Sequence, residues 1–490
     1  MVRTRFAPSP TGYMHIGNLR TALYSYLVAR HHGGKFVLRI EDTDVKRFVP
    51  GAIQVIYDSL KLAGLEYDEG PDRDGGFGPY IQSQRVDTYK RHIEVLLEQG
   101  TAYRCFCASA RAEQRRKGQK TYATEPDPCR LLAKAEVDAR VAGGEASVVR
   151  QRIPESGTTT VVDHVFGTIV VSNDTLDDQV LLKSNGLPTY NFAKVVDDHL
   201  MEISHVVRGV EYLSSAPKYN LLYRSYGWEI PEYVHLPHIT KESGKKLSKR
   251  AGDASFQDLL ARGYLPQALV NYIALLGWNP GDGREFFLLD DLVESFDVRR
   301  INKSSAAFSF EKLDWLNGEH IRRLSGEQFH TTALAYYPRE IADTLDTQTI
   351  SRIIQPRVAR LTDIPQMVSF LARMPPYSLD LYNHEKSQST EETSLLVLEN
   401  VHLILCRVQV WTNQVLYDEL ALFARTANLK IRTVMWPLRV ALSGSMITAG
   451  GATEIAAILG KEETLRRLAD ATRYLIASFQ ADGESEPDVL

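Results

Sequence analysis

A stretch near the N-terminus combines the residue types and backbone geometry that suit polyphosphate binding. Residues 7–19 read APSPTGYMHIGNL. Pro8 and Pro10 end a preceding strand because they cannot donate to a sheet ladder, and Gly12 lets the backbone approach a ligand closely. A helix that begins here presents unpaired N–H groups and partial positive charge to an anion. His15 adds a hydrogen-bond donor aimed at the same anion.

A second stretch, in the middle of the chain, carries a run of basic residues after a glycine. Residues 243–250 read SGKKLSKR. Taken alone, such a run is typical of a solvated basic loop, and a lone histidine in a turn is typical of an ordinary strand-to-helix connection. Their presence in one chain favours a shared phosphate site.

The surrounding pattern predicts the elements that position His15. A strand over residues 2–7 is followed by an amphipathic helix that stops at Gly33 and Gly34, and a second strand spans Lys35 to Ile40. Strands and helices alternate over residues 1–85 and 189–245, which predicts a parallel α/β sheet with helices on both faces. Ligands of such sheets bind beyond the carboxyl ends of the strands, so we expect Glu41 across the crevice from His15.

These motifs resemble those of a known enzyme family. His15-Ile16-Gly17-Asn18 resembles the His-Ile-Gly-His signature of class I aminoacyl-tRNA synthetases, and Lys246-Leu247-Ser248-Lys249-Arg250 resembles their Lys-Met-Ser-Lys-Ser loop. Four further runs are similar to glutamyl-tRNA synthetases in particular: RFAPSPTG from Arg5, RIEDTD from Arg39, LPTYNFA from Leu187 and VVDDHL from Val195. The resemblance covers nearly the whole chain.

The resemblance implies a Rossmann-like parallel-sheet catalytic domain with an inserted connective α/β domain, followed by an all-helical anticodon-binding region. The implied segments are 1–85 (first catalytic half), 86–188 (acceptor-end-binding insertion), 189–250 (second catalytic half with the lysine loop), 251–325 (stem contact), 326–380 (first helical anticodon-binding domain) and 381–490 (second helical domain). The last ten residues are predicted to be disordered.

The implied reaction is ATP-dependent activation of L-glutamate to glutamyl adenylate, followed by transfer to the 3' end of tRNA(Glu). Such chemistry needs positioning and electrostatic stabilisation rather than a protein nucleophile. By resemblance, His15, Lys246 and Lys249 are catalytic. ATP-binding residues are His15, Gly17, Asn18, Glu211, Leu247 and Lys249. Mg²⁺ is expected to travel with the ATP.

Selection of glutamate over glutamine requires a fixed cation, because the two side chains are nearly isosteric. A guanidinium can bind a carboxylate through two hydrogen bonds, and Arg5 and Arg208 match the family positions. Glu41 would pair with the substrate ammonium. The implied glutamate-binding residues are Arg5, Ala7, Ser9, Glu41, Tyr190 and Arg208. The sequence leaves two alternatives open: Arg5 could pair with a neighbouring acid, and Tyr190 could be a core ring.

The helical C-terminal third is expected to present a rigid surface to an unstacked anticodon loop. By resemblance, Arg357 and Arg439 are candidate readers of anticodon bases, whereas surface arginines that hold helices together are the alternative. tRNA(Gln) stays open as a second substrate. The formal net charge is −4, whereas RNA-binding proteins usually carry an excess of basic residues. The positive charge that contacts tRNA must therefore be concentrated in local patches.

Three cysteines form a second candidate site. Cys105, Cys107 and Cys129 resemble the zinc knuckle of some family members, and thiolates two residues apart on an extended segment can face one metal. Leu131 occupies the position expected for a fourth ligand, and Tyr122 is a candidate substitute. The alternative is three reduced thiols without a metal, which the sequence slightly favours.

Composition and charge pattern limit the classes of protein to which the chain can belong. The 490 residues, 44% of them hydrophobic, suffice for several domains with buried cores. Arg3 and Arg5 interrupt any secretory apolar region, and no apolar stretch approaches the roughly 20 residues of a membrane span. Four cysteines do not form a disulfide framework. We therefore expect a cytoplasmic protein without a membrane partner.

A second function class competes with the enzyme. A non-catalytic relative could bind tRNA or a partner protein without activating an amino acid. The combination of His15, Glu41, Arg208, Lys246 and Lys249 disfavours this alternative, because a pure binding module has no use for phosphate-facing lysines.

Overall fold

The computed structural model describes residues 1–44, 47–107, 127–241 and 255–483, with backbone alone over 481–483. Contacts divide the chain into two compact units: residues 1–261 with 266–313, and residues 262–265 with 314–490. Lys246, Leu247, Lys249 and Tyr122 lie outside the described residues, as do residues 484–490 of the predicted disordered tail.

The strands belong to the first unit. They are β1 (Arg3–Phe6), β2 (Lys35–Leu38), β3 (Ala102–Cys105), β4 (Val148–Gln151), β5 (Thr158–Asp163), β6 (Gly167–Ser172), β7 (Val180–Leu182), β8 (His205–Gly209), β9 (Glu232–Leu236), β10 (Ile239–Lys241) and β11 (Ala306–Phe308).

The α-helices in chain order are α1 (Ile16–His31), α2 (Ala52–Leu62), α3 (Val86–Glu98), α4 (Lys134–Ala142), α5 (Tyr190–Leu200), α6 (Ala216–Tyr226), α7 (Phe256–Ala261), α8 (Pro266–Leu275), α9 (Leu289–Ser295), α10 (Phe310–Arg323), α11 (Gly326–Ala333), α12 (Arg339–Ala342), α13 (Thr347–Ile354), α14 (Ile364–Ala372), α15 (Glu391–Arg407), α16 (Asn413–Thr426), α17 (Ile431–Ser443) and α18 (Ala452–Gly483).

The central sheet of the first unit is mostly parallel, as the alternating pattern predicts. β1 pairs with β2, and β8 with β9, in parallel register. β8 lies beside β1, where Ser204 N donates to Arg3 O at 3.0 Å. β5 joins β9 in parallel at Asp163 and continues into an antiparallel hairpin with β6. Such sheets are covered on both faces, and β1, β2, β8 and β9 are buried over nearly all of their length.

The strand-to-helix elbow forms as its residues require. β1 ends at Phe6, just before Pro8, and α1 begins at Ile16 with His15 as its N-cap residue. Gly34 follows the helix in close contact with β1, where a Cβ atom would overlap the carbonyl oxygen of Val2. β2 then starts at Lys35 and brings the chain back parallel to β1.

The second unit is built from helices over the described residues. α15, α16 and α17 pack against α18, whose helical path is interrupted at Gly460, a residue with φ of +79°. Leu398, Val401, Leu405, Leu438 and Leu475 are among its fully buried side chains. In neither unit does a described helix combine the length and apolar character needed to cross a bilayer.

Candidate active site

A cavity of about 340 Å³ lies at the carboxyl edge of the parallel strands. Its walls come from the residues that follow β1, β2, β8 and β9 and from the start of α1, because parallel strands bring their carboxyl ends to one edge. Ten of the residues named from the sequence line this single cavity: Arg5, Ala7, Ser9, His15, Gly17, Asn18, Glu41, Tyr190, Arg208 and Glu211.

His15 lines the cavity at the start of α1. Its Nδ1 accepts a hydrogen bond from Gly17 N at 3.1 Å, which caps α1. Because Nδ1 accepts, the proton of the neutral ring lies on Nε2, which therefore acts as a donor. The first backbone N–H groups of α1 add partial positive charge at the same place.

The described segments on either side of the predicted lysine loop reach the neighbourhood of the cavity. Ile239, the first residue of β10, lines the cavity, and the described chain stops at Lys241. It resumes at Ser255, which forms an antiparallel bridge with His15. The neighbouring Phe256 N donates to Met14 O at 2.9 Å. Residues 242–254 are therefore joined at both ends to segments that border the cavity.

Arg208 presents a guanidinium fork inside the cavity. Its Nε donates to His235 Nε2 at 3.0 Å, whereas Nη1 and Nη2 are buried and have no hydrogen-bond partner among the described residues. The guanidinium carbon lies within 5.5 Å of the ring centroids of Tyr212, Tyr219 and Tyr233. Two buried, parallel donors without a partner are suited to a carboxylate.

Two buried residues that sequence reasoning missed hold Arg208 in place. His235 donates from Nδ1 to Asp163 Oδ2 at 2.6 Å, and both side chains are fully buried. Burial lowers the pKa of His235, so the ring is neutral and its Nε2 lone pair faces Arg208 Nε. Asp163 also accepts from the backbone N–H groups of Val165 and Phe166. The position of His235 on β9, two residues beyond Tyr233, offered no motif that would have identified it.

Arg5 forms the ion pair with a neighbouring acid that the sequence left open as an alternative. Its Nε lies 3.0 Å from Asp198 Oδ1 and its Nη2 lies 3.3 Å from Oδ2, while Nη1 contacts Val207 O at 3.3 Å. Asp198 also binds Arg39 Nη2 at 2.8 Å. Arg5 thus lines the cavity as part of a buried ion network, and its fork is less available than that of Arg208.

Glu41 faces the cavity with one oxygen uncommitted. Its Oε1 accepts from Arg39 Nη2 at 3.1 Å, and its buried Oε2 has no hydrogen-bond partner among the described residues. Burial raises the pKa of Glu41 to about 7, against the opposing effect of Arg39 and Arg5. A bound ammonium would satisfy Oε2 and restore the charged form.

Tyr190 and Glu211 complete this part of the cavity wall. The Tyr190 ring packs at 5.3 Å from the ring of Tyr212, and burial raises the pKa of its hydroxyl well above the usual value, so it remains neutral. Glu211 Oε2 lies 3.9 Å from His238 Nδ1. Lys194, one turn along α5 from Tyr190, places its buried Nζ over the ring of Tyr219 at 3.8 Å.

Comparison with known proteins identifies the family. Residues 1–315 match the catalytic domain of tRNA synthetases class I (E and Q). The chain is a class I tRNA synthetase of the E and Q group. Residues 328–472 of the synthetase match an anticodon binding domain.

The synthetase is similar to known proteins over nearly its full length. It is 51% identical to a glutamate–tRNA ligase of Clostridium novyi, over 95% of this chain and 96% of the relative. A glutamate–tRNA ligase of Clostridium tetani is 50% identical over the same shares. The crystal structure of a glutamate tRNA ligase from Elizabethkingia meningosepticum in complex with its amino acid has a TM-score of 0.85 at 33% identity and covers 97% of this chain and 99% of that one.

The two arginines named for anticodon contact lie near each other in the synthetase's second unit. Arg357 is exposed and its Nη1 donates to the carbonyl oxygen of Thr448. Arg439 lies on α17, partly buried, and burial together with the nearby charge of Arg357 lowers its pKa. Its Nε is buried without a hydrogen-bond partner among the described residues.

The cysteines of the synthetase meet around an aspartate that sequence reasoning missed. Cys107 Sγ lies 3.4 Å from Cys105 Sγ and 3.7 Å from Cys129 Sγ. Asp127 Oδ2 lies 3.0 Å from Cys105 Sγ, and its Oδ1 lies 3.4 Å from Cys107 Sγ. All four residues can bring one ligand atom within 4.8 Å of the others, whereas Leu131 is 82% exposed. The aspartate two residues before Cys129 was the available signal.

Proposed function

We propose that the chain activates L-glutamate with ATP and transfers it to the 3' end of tRNA(Glu), releasing AMP and pyrophosphate. Relatives about half identical over nearly the whole chain are named for this reaction. The observation that carries the proposal is the buried Arg208 fork, whose Nη1 and Nη2 have no protein partner among the described residues. We infer a cytoplasmic location for this reaction.

Glutamate fits the cavity in one orientation. Its side-chain carboxylate accepts from Nη1 and Nη2 of Arg208, with Arg5 adding positive charge behind it, and its ammonium binds Glu41 Oε2. Ala7, Ser9 and Tyr190 enclose the carbon chain. This arrangement directs the α-carboxylate toward His15. Glutamine would place an NH₂ group against an N–H donor of Arg208, which disfavours it.

ATP binds with its phosphates at the start of α1. An oxygen of the glutamate α-carboxylate attacks the α-phosphorus, and the bond from that phosphorus to the oxygen of the departing pyrophosphate breaks. His15 Nε2 and the positive end of the α1 dipole stabilise the negative charge that grows on the phosphoryl oxygens. Asn18, Glu211 and Leu247 complete the ATP contacts by family resemblance.

Lys246 and Lys249 neutralise the β and γ phosphates and follow the pyrophosphate as it leaves. A lysine is suited to this role because its ammonium sits on a flexible stem. Support comes from the ends of their segment, since Ile239 lines the cavity and Ser255 pairs with His15. Mg²⁺ bound to ATP would supply further positive charge to the phosphates.

A ribose hydroxyl of the terminal nucleotide of tRNA then attacks the glutamyl carbonyl carbon, and AMP leaves. Arg357 and Arg439 read bases of the anticodon loop, where unstacked bases expose their edges. Burial and the nearby charge of Arg357 lower the pKa of Arg439, and the proximity of the two guanidiniums favours a polyanionic partner at this surface. tRNA(Gln) is the second candidate acceptor.

The cysteine cluster fits zinc, with Cys105, Cys107, Cys129 and Asp127 as its ligands. Tetrahedral Zn–S bonds of about 2.3 Å place two sulfurs about 3.8 Å apart, close to the 3.4 and 3.7 Å observed. Zinc here would brace the insertion. Co²⁺-substituted protein should show the strong thiolate-to-metal absorption of a cysteine site, and C107S should show a weaker absorption because one of the three thiolates is lost. Equal absorption in both proteins would exclude this site.

Aminoacylation of purified tRNA(Glu) and tRNA(Gln) with labelled glutamate tests the proposal. Glutamate should be transferred to tRNA(Glu), and transfer to tRNA(Gln) would extend the substrate range. H15A is the matched variant, because it removes the phosphate-facing donor while leaving the Arg208 fork intact. If no labelled tRNA forms and no glutamate-dependent exchange of pyrophosphate into ATP occurs with tRNA present, the non-catalytic alternative is correct.

A further inference from the structure

Three metal-ligating side chains meet at the edge of the sheet opposite the active site. Glu232 begins β9, His205 begins β8, and His164 directly follows β5. His164 Nε2 lies 2.5 Å from Glu232 Oε2, and His205 Nε2 lies 3.4 Å from the same oxygen. The two imidazole rings are stacked with centroids 6.4 Å apart. None of the three residues of this His-His-Glu cluster lines the candidate active-site cavity.

One histidine has a hydrogen-bonding neighbour at its second ring nitrogen. Ser204 Oγ accepts from Arg3 N at 2.8 Å and lies 3.2 Å from Arg3 O and 2.9 Å from His205 Nδ1. When His205 Nδ1 donates to Ser204 Oγ, the neutral ring directs its Nε2 lone pair at Glu232. A metal cation between that lone pair and the carboxylate oxygen would bind both.

The cluster has the chemistry of a transition-metal site. Two imidazole nitrogens and one carboxylate oxygen are a common ligand set for zinc, and a partner that orients the second imidazole nitrogen is typical of histidine ligands. All three ligand atoms lie within 4.8 Å of one another. They border a cavity of about 710 Å³, so that water can complete the coordination.

We propose that His164, His205 and Glu232 bind a divalent transition-metal ion of the Zn²⁺ class. The ion would connect the β5–β6 hairpin, which the sequence assigns to the insertion, with the amino ends of two strands of the catalytic sheet. His164 directly follows Asp163 in the chain. Asp163 binds His235, which in turn holds Arg208 in place. Metal binding would therefore stabilise the strand end that supports the glutamate-binding arginine.

Metal content of the full-length protein tests the site without relying on activity. Wild type, H164Q/H205Q and the control H31Q are stripped with a chelator, dialysed against Zn²⁺ and analysed for bound zinc. All three proteins keep the cysteine cluster, so differences report only the histidine cluster. H31Q is matched because His31 lines the same cavity, where its Nδ1 contacts Val293 O at 2.8 Å.

Wild type and H31Q should each hold one more equivalent of zinc than H164Q/H205Q, and Zn²⁺ should raise their Tm more than that of the double variant. Co²⁺ at this site should add visible bands without thiolate charge transfer. If the double variant does not fold, E232Q serves in its place, since it keeps both imidazoles. Equal zinc content in wild type and the folded variant would overturn the proposal.

Discussion

Replacement of Arg208 by lysine tests how the cavity recognises glutamate. Arg208 offers two buried terminal nitrogens without a protein partner among the described residues, and its Nε is held by His235 at 3.0 Å. Lysine keeps the positive charge but has a single terminal nitrogen, so it cannot form two parallel hydrogen bonds with a carboxylate. R208K therefore removes the paired donor geometry of the guanidinium and preserves its positive charge.

The expected loss follows from one missing hydrogen bond to a charged group. Such a bond contributes about 1.5 to 3 kcal/mol, which corresponds to a decrease in kcat/KM for glutamate of about tenfold to one hundredfold. The preference for glutamate over glutamine should shrink as well, because the amide no longer faces a fixed fork of donors. Both effects are measured by pyrophosphate exchange into ATP with tRNA present, with each amino acid varied in turn.

R30K is the matched control. Arg30 lies on α1, where its guanidinium binds Asp68 Oδ2 and Glu66 O, each at 2.7 Å. Because this ion pair is partly exposed, its replacement should leave kcat/KM within about twofold of wild type. An R208K enzyme with wild-type kcat/KM, or with equal losses for glutamate and glutamine, would refute the assignment of Arg208 to the side-chain carboxylate.

Three further predictions concern the rest of the site. D163N removes the charge that orients His235. The KM for glutamate should therefore rise about tenfold with little change in kcat, which corresponds to the loss of one hydrogen bond to a charged group. A fall in kcat alone would contradict a positioning role for Asp163. Glu41 has a pKa raised to about 7 by burial, and only its ionised form binds the substrate ammonium. Lowering the pH from 8 to 6 should therefore reduce kcat/KM for glutamate about tenfold, and an unchanged value across that range would exclude this role. K249A should keep the fold, judged by circular dichroism, and lose about two to three orders of magnitude in activation; wild-type exchange rates would refute its assignment.

The sequence predicted the framework of the active site because that framework depends on local rules. Backbone chemistry sets the end of β1 before the prolines, the start of α1 at His15 and the end of β2 before Glu41. The topology of a parallel sheet then brings distant carboxyl ends to one edge, and ten of the residues named from the sequence do line one cavity there.

The partners of those residues could not be predicted, because they depend on packing across the sheet. Nothing local in the sequence indicates that Asp163 reaches His235, or that Asp198 engages Arg5. Spacing rules looked for a fourth zinc ligand after Cys129, whereas the fold turns Asp127, two residues before it, toward the three sulfurs.

A crystal structure with a non-hydrolysable analogue of glutamyl adenylate tests most directly whether one cavity holds both substrates. The side-chain carboxylate should accept hydrogen bonds from Nη1 and Nη2 of Arg208, the ammonium should contact Glu41 Oε2, and the group that replaces the phosphate should lie against His15 Nε2. An analogue bound in this cavity with its side chain directed away from Arg208, or bound elsewhere on the protein, would contradict the assignment.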